Sequence, residues 1–308
     1  MPVHEIQCPA CGGLAEPSVV PYRNTHPVLA GLSRATCRIC DMAFAMPMPD
    51  EDSWKDYNSS YFDNAHGGGA RNHVADAYHS AIARLRVEHV AAFLRKSGVT
   101  VSAVLEVGPG RGDFARHWLA LHPTVAYEAV ESDVSCHPGL AAMGVRMVTG
   151  SEDASASSEV DLVVLSHVLE HVIDPAGFLR SMTERLRPGG VVFVEVPCRD
   201  WEHKALDEPH LLFFDKTSMR RLLDRIGFEP AQLSYHGQLI SRLRTGGSAR
   251  RLWGAIRFRL LSAGVVAPFD RAAPALETPL ERAVVRPFEA HREHPHPAWW
   301  LRTMAVKQ

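Results

Sequence analysis

A glycine-rich loop between an apolar run and an amphipathic segment constrains the fold of this chain more than any other feature. The loop reads G-P-G-R-G and contains Gly108, Gly110 and Gly112; it follows the apolar run 101–107 and precedes a helical pattern over 113–121. Glycine is needed where the backbone turns tightly and approaches a ligand with no Cβ atom in between. The pattern predicts a strand, a ligand-binding loop and a helix in succession.

The segments that follow the loop repeat the order of strand and helix. Short β-branched runs predict further strands at 127–131, 145–148, 160–166, 191–197 and 230–236. Apolar residues at helical spacing predict helices at 75–95, 134–143, 175–186 and 217–226. Strands that alternate with helices form parallel βαβ units, so we expect an α/β fold with a doubly wound sheet.

Two acidic residues beside the loop indicate what it binds. Glu131 ends the strand after the loop, where a carboxylate accepts hydrogen bonds from the ribose hydroxyls of a nucleoside. Glu106 lies two residues before Gly108, and its charge there repels a pyrophosphate and attracts a cation. S-adenosylmethionine carries a sulfonium and an ammonium group, so the loop suits this cofactor better than NAD.

The same residues resemble the class I S-adenosylmethionine-dependent methyltransferases. E-V-G-P-G-R-G and Glu131 are followed, within 75–236, by the family's fourth strand, an L-E-H segment, R-P-G-G and the fifth strand. The resemblance implies a Rossmann-like sheet of seven strands, with 298–307 as the last strand and 237–295 as a helical insertion before it. The cofactor contacts that it implies are Glu106, Gly108, Gly110, Gly112, Glu131, Ser132, Glu152 (in an acidic turn at 150–153) and His167.

Four of the six cysteines form a separate motif near the N-terminus. Cys8, Cys11, Cys37 and Cys40 have the spacing C-x2-C-x25-C-x2-C. Two such pairs present four thiolates tetrahedrally, which suits Zn²⁺; iron is the alternative. A closed four-thiolate site has no open coordination position, so we expect a structural zinc ion. The predicted organisation is a zinc-binding module and linker at 1–66, followed by a catalytic domain at 67–308.

A zinc-binding N-terminus before a class I domain is similar to a subset of bacterial sugar and natural-product methyltransferases. In that subset a His-Glu-His-Leu motif and aromatic residues follow the fifth strand. The matching stretch here is D-E-P-H-L-L-F-F, in which His210 stands at the last histidine and Glu208 near the first. The resemblance implies a small acceptor, a carbohydrate or nucleotide- or lipid-linked sugar. Because the motif is incomplete, we favour methylation of a hydroxyl over methylation of carbon.

Histidines are the candidate bases for removing a proton from such an acceptor. His210, His167 and His171 all follow strands at the edge where doubly wound sheets bind ligands. His210 is the favoured base, with Glu208 and His203 as helpers. His167 is also a candidate cofactor contact, and His171 a candidate for orienting a neighbouring loop. Tyr57 and Tyr61 are candidates for lining the acceptor pocket.

The predicted insertion is locally basic. Residues 237–269 contain no Asp or Glu, but they contain Arg242, Arg244, Arg250, Arg251, Arg257 and Arg259. Three interpretations stay open: a solvated surface helix, a clamp for an anionic acceptor, and contact of 250–261 with an anionic membrane surface.

Composition limits the partners of the chain. Lys+Arg total 33 and Asp+Glu 35, which gives a net charge of −2. This charge disfavours binding of nucleic acid, and therefore also RNA methylation, which is the main alternative activity. A non-catalytic binding module is disfavoured by the presence of both Glu106 and Glu131. No apolar run reaches the roughly 18 residues of a membrane span, and the first residues lack a signal-peptide pattern. We therefore expect a cytoplasmic protein; the sequence gives no indication of its oligomeric state.

Overall fold

The computed structural model describes residues 6–66, 73–148, 159–244 and 292–308, together with single helical positions between 252 and 260. Three of the predicted features lie outside the described residues: the acidic turn 150–153 with Glu152, the arginines at 250, 251 and 257, and most of the predicted insertion. Within the described residues, no helix combines the length and apolar character that crossing a membrane requires.

The described strands and helices follow the predicted alternation. The strands are β1 (Ile6–Gln7), β2 (Leu14–Pro21), β3 (Ser33–Cys37), β4 (Ala43–Met46), β5 (Ala103–Val107), β6 (Ala126–Val130), β7 (Arg146–Met147), β8 (Val160–Ser166), β9 (Leu186–Pro197), β10 (Leu212–Phe213), β11 (Glu229–Leu239), β12 (Glu293–His294) and β13 (Ala298–Val306). The helices are α1 (Glu51–Ser59), α2 (Tyr61–His66), α3 (His73–Ser97), α4 (Asp113–Leu121), α5 (His137–Ala142), α6 (Pro175–Thr183), α7 (Lys216–Ile226) and α8 (Ile240–Arg244).

The larger sheet has the order β12-β11-β13-β9-β8-β5-β6-β7. The pairs from β9 to β7 are parallel, and β13 runs antiparallel between β9 and β11. This mixed sheet confirms the predicted Rossmann-like α/β fold. The expected number of seven strands is wrong for this sheet, which has eight strands within the described residues. The extra strand is β12, whose two residues pair with Tyr235 and His236 on the outer edge of β11. Two residues are too few to show a strand pattern in the sequence.

Alternate residues of the central strands supply a core on each face of this sheet. Val163 and Leu165 of β8 belong to one buried cluster, and Leu162 and Val164 belong to the other. The second cluster includes Val87 of α3 and Trp118 of α4. Burial on both faces explains why β8 is an almost uninterrupted apolar run and not an alternating one.

The smaller sheet joins the N-terminal segment to the rest of the chain. Its order is β1-β2-β3-β4-β10, and β10 comes from the segment after β9. Leu212 and Phe213 of β10 pair antiparallel with Phe44 and Ala43 of β4. The predicted N-terminal module therefore shares a sheet with the catalytic segment, an arrangement that the two-residue strand β10 does not signal in the sequence.

Candidate active site and four-cysteine cluster

The glycine loop occupies the carboxyl end of β5 at the centre of the larger sheet. All three glycines have left-handed backbone angles, with φ of +64° at Gly108, +56° at Gly110 and +75° at Gly112. A Cβ atom on Gly108 would lie 2.5 Å from Cγ2 of Val168, and one on Gly112 would lie 2.3 Å from Cε of Met143. Both the backbone conformation and the available space therefore require glycine.

Glu131 is tied to this loop by its carboxylate. Its Oε2 accepts a hydrogen bond of 2.8 Å from the amide of Gly110, and its Oε1 accepts one of 2.8 Å from the amide of Asp133. Burial raises the pKa of Glu131, while the two backbone donors oppose that shift. The structure thus brings Glu131 and the loop together, as predicted. Ser132, the adjacent candidate, is exposed.

Glu106 lies beneath the loop and is only 3% exposed. Its Oε2 accepts a hydrogen bond of 2.7 Å from the hydroxyl of Tyr127. Burial raises the pKa of Glu106 to about 8, against the effect of the Tyr127 hydroxyl. At this pKa the carboxyl is largely protonated at neutral pH, so its negative charge is present only when a neighbouring cation stabilises it.

The N-terminal segment covers the loop through Phe62, which the sequence did not indicate. The amide of Phe62, in α2, donates a hydrogen bond of 2.9 Å to Oδ2 of Asp133. The Phe62 ring lies over Gly110, where its Cζ would be 3.2 Å from an added Cβ atom, and the Arg111 guanidinium lies 5.2 Å from the centre of that ring. The preceding residue, Tyr61, packs edge-on against His171 with ring centres 5.3 Å apart. Two consecutive residues therefore connect the loop to the histidines.

His167 follows β8 with a left-handed backbone, φ +59°. Its Nε2 lies 3.1 Å from Oε1 of Glu195, and its Nδ1 lies 3.3 Å from Oε1 of Glu170. Burial lowers the pKa of His167, but the two carboxylates outweigh this effect and raise the pKa overall. Glu195 is itself held by Arg86 at 2.6 Å and Arg302 at 2.5 Å. His167 is therefore better placed to stay protonated than to act as a base.

His171 and His210 lie together beyond His167. Their ring centres are 4.9 Å apart and their planes are nearly perpendicular. Nδ1 of His171 lies 3.1 Å from the carbonyl oxygen of Pro209, and Nδ1 of His210 lies 2.7 Å from Oδ2 of Asp200. Burial lowers the pKa of His171 to about 4, so this ring is neutral at neutral pH. All three predicted histidines thus surround Glu170, which belongs to the L-E-H segment but was given no role from the sequence.

The N-terminal sheet anchors the segment that carries His210. Asp207 pairs with Arg23 and with Arg34, the latter at 3.1 Å. The Glu208 carboxylate accepts hydrogen bonds from the amides of Thr25 at 2.7 Å and His26 at 3.0 Å. Glu208, the predicted helper of His210, therefore connects this segment to the N-terminal segment. His203, the other predicted helper, packs edge-on against Trp299, with ring centres 6.3 Å apart.

The four N-terminal cysteines converge as the spacing predicts. Sγ of Cys8 lies 3.6 Å from Sγ of Cys40, and Sγ of Cys11 lies 3.6 Å from Sγ of Cys37. All four sulfur atoms lie within 4.8 Å of one another. Thiolates bound about 2.3 Å from one zinc ion stand about 3.8 Å apart at the corners of a tetrahedron. The geometry therefore fits a four-thiolate metal ion.

Comparison with known proteins identifies the larger fold. The family described as "Methyltransferase domain" matches residues 76–233, more than half of the chain. The chain belongs to this methyltransferase domain family. The match includes the glycine loop, Glu131, the three candidate histidines and Glu170, and it excludes the four cysteines.

Individual relatives are similar over a shorter length. A ubiquinone biosynthesis O-methyltransferase of Parvibaculum lavamentivorans is 32% identical over 96 residues, which cover 29% of this chain and 38% of that protein. A protein of Mycolicibacterium smegmatis, named a probable S-adenosylmethionine-dependent methyltransferase, is 34% identical over 99 residues, 30% of this chain and 38% of that protein. The chain spans little more than a third of either relative. Among solved structures, coclaurine N-methyltransferase bound to N-methylheliamine and SAH is 13% identical over 71% of each chain, with a TM-score of 0.42.

Proposed function

We propose that this protein is an S-adenosylmethionine-dependent methyltransferase that acts on a hydroxyl group of a small acceptor. The observation that carries the proposal is the hydrogen bond from the Gly110 amide to the Glu131 carboxylate, within a loop whose three glycines all have left-handed backbone angles. This arrangement supports the proposal, because a carboxylate at the end of the second strand and a glycine backbone beside it suit the ribose of a nucleoside. Membership of the methyltransferase domain family supports the same activity.

The residues divide between the two ends of the proposed reaction. Glu106, Glu131 and the loop would hold S-adenosylmethionine, which when bound supplies an electrophilic methyl group on sulfur. His171 and His210 would stand at the acceptor, and His210 is the proposed base. Its Nδ1 is held by Asp200, which leaves Nε2 as the basic atom of the neutral ring. We do not assign a base role to His167, since its two carboxylate neighbours favour the protonated ring.

We further propose a sugar-type acceptor and a structural zinc ion in the four-cysteine cluster. The resemblance of the N-terminal cysteines and of D-E-P-H-L-L-F-F to the sugar methyltransferase subset supports the acceptor class. Relatives named as O-methyltransferases support oxygen as the methylated atom. The convergence of the four sulfur atoms, all within 4.8 Å of one another, supports zinc.

Calorimetry with S-adenosylmethionine tests the cofactor site. Gly110→Arg should abolish binding because a long side chain would fill the loop, and Glu131→Ala should weaken binding by about 10-fold through loss of a charged hydrogen-bond acceptor. Gly139→Arg is the matched control, since nothing lies within 4 Å of a Cβ atom there. Normal binding by Gly110→Arg and Glu131→Ala would refute the cofactor assignment.

Methyl transfer from labelled S-adenosylmethionine to a panel of acceptors tests the substrate class. The panel should contain nucleotide-linked sugars, lipid-linked glycans, polyphenols and RNA. We expect transfer to a sugar hydroxyl, with turnover lost in His210→Ala while cofactor affinity is retained. Methyl transfer to RNA alone would refute the sugar acceptor and identify the protein as an RNA methyltransferase.

A further inference from the structure

The buried carboxylate of Glu170 has only part of the set of partners that a buried charge needs. The residue is fully buried, and neither of its oxygens has a hydrogen-bond partner among the described residues. Its nearest cationic or imidazole nitrogens are Nδ1 of His167 at 3.3 Å and Nε2 of His171 at 3.8 Å. A buried carboxylate without hydrogen bonds is costly unless a cation compensates it. Oε1 has the ion-pair contact with His167, whereas Oε2 has no hydrogen-bond partner among the described residues, so the carboxylate can accept a further cation.

The two neighbouring histidines have the same ring nitrogen engaged. A carbonyl oxygen can only accept, so Nδ1 of His171 carries the proton that it donates to Pro209. Nδ1 of His210 faces Oδ2 of Asp200 in the same way, and Nζ of Lys204 lies 2.7 Å from the same oxygen. In the neutral rings both Nε2 atoms then carry a free lone pair.

This pairing of Nδ1 with an oxygen is the usual support for a histidine that binds metal through Nε2. One ring nitrogen from each histidine and one Glu170 oxygen all lie within 4.8 Å of one another. Ligand atoms about 2.1 Å from a common ion are roughly 3–4 Å apart, so small side-chain rotations would close the group around one ion.

The backbone holds the three residues in this arrangement. Glu170 and His171 belong to a single turn of 3-10 helix, Leu169–His171. The carbonyl of Glu170 accepts a hydrogen bond of 2.8 Å from the amide of Leu211, the residue after His210. The indole of Trp54 donates a hydrogen bond of 2.6 Å to the carbonyl of His171. Both the N-terminal segment and the segment after β9 thus fix the positions of the ligands.

We propose that Glu170, His171 and His210 bind a divalent transition-metal ion, distinct from the ion of the four-cysteine cluster. Three protein ligands leave coordination positions open, as in metal sites that bind substrates. The ion would lower the pKa of an acceptor hydroxyl bound at such a position, so that the hydroxyl gives its proton to solvent water and the resulting alkoxide attacks the methyl group. This proposal deepens the proposed methyltransferase function, and the part that concerns the acceptor rests on that function. It also changes the role of His210, whose Nε2 becomes a metal ligand and not the base.

Titration of the full-length protein with Mn²⁺, followed by the loss of the free-ion electron paramagnetic resonance signal, tests the site. Mn²⁺ prefers carboxylate and imidazole ligands over thiolates, so it reports on this group and not on the cysteines. We expect one Mn²⁺ site per chain. Glu170→Gln should lower its Mn²⁺ affinity at least about 10-fold, and Asp200→Asn should do the same because Asp200 orients His210. His89→Gln, a substitution of a histidine outside the group, should leave Mn²⁺ binding unchanged.

Two further readouts separate metal loss from misfolding and from failure of the methyltransferase proposal. Mn²⁺ should raise the unfolding temperature of the wild type but not that of Glu170→Gln, and both proteins should bind S-adenosylmethionine equally. Two results would overturn the proposal. One is a wild-type protein that leaves the free-ion signal unchanged up to millimolar Mn²⁺, and the other is equal Mn²⁺ affinity of the wild type and Glu170→Gln. Metal-independent turnover would restore His210 as a general base and overturn the metal's role with the acceptor. Absence of cofactor binding would refute the methyltransferase function, and the Mn²⁺ result would stand separately.

Discussion

Gly112 illustrates how a single residue meets two separate structural demands. Its φ of +75° is a conformation that costs other residues roughly 1–2 kcal/mol. Its position also leaves no room for a side chain, since Met143 and Leu140 pack directly against it. Gly31 has nearly the same φ, +77°, but nothing lies within 4 Å of a Cβ atom there.

We therefore expect Gly31→Ala to lower the free energy of unfolding by about 1 kcal/mol, through backbone strain alone. Gly112→Ala should lose an additional 1–3 kcal/mol, approximately, because the new methyl group overpacks the contact with α5. Denaturant unfolding of both variants measures the difference. Equal losses would mean that the contact with Met143 relaxes at no cost.

At the scale of elements, the two-residue strand β10 has more influence on the site than its length suggests. It immediately follows His210 and Leu211, and it pairs with β4 of the N-terminal sheet. Just before it, the buried carboxylate of Asp207 is held by Arg23 and Arg34. The position of His210 therefore depends on contacts made by residues far away in sequence.

Asp207→Asn should lower the free energy of unfolding by about 3 kcal/mol, since it leaves the largely buried Arg34 without its counter-charge. Turnover should fall as well, because the segment that carries His210 loses its anchor. Asp224→Asn is a suitable control: Asp224 is exposed, so the same substitution there should cost less than about 1 kcal/mol. Chemical unfolding and the acceptor assay provide the two readouts. An unchanged stability for Asp207→Asn would show that the Arg–Asp contacts contribute no net stability.

At the scale of the whole molecule, the cysteine cluster and the catalytic segment belong to one core. A single buried cluster contains Cys8, Cys37 and Phe44 of the N-terminal sheet together with Val163 and Leu165 of the larger sheet. A metal ion that stabilises the first group should therefore stabilise the whole chain.

Replacement of Cys37 and Cys40 by Ser should remove one equivalent of zinc per chain and lower the unfolding temperature by on the order of 10 °C. Cys136→Ser, at a buried cysteine outside the cluster, should retain the zinc. Metal analysis and thermal unfolding test this expectation. Unchanged zinc content in the double variant would place the metal elsewhere.

Several features could be predicted because their signals are local. The glycine loop, the strand-helix alternation and the two cysteine pairs each lie within a short stretch of sequence, and each imposes a specific backbone or ligand geometry. Three features were missed because they depend on long-range contacts: the shared strand β10, the edge strand β12 and the cover of the loop by Phe62. In each case only one to two residues are involved, and their partners lie far along the chain.

The sequence by itself determined an α/β sheet and a loop that suits a nucleoside. It did so because Gly108, Gly110 and Gly112 lie between β5 and α4 in the sequence, and Glu131 follows β6 directly. It also determined which histidines follow the strands at the ligand-binding edge. Only the tertiary structure decided what those histidines do, because a ring's free nitrogen depends on its partners. Pro209 and Asp200 engage Nδ1 of His171 and His210, and the buried Glu170 lies beside them. The contacts that set the protonation and the charge of this group are made across elements, and no spacing along the sequence specifies them.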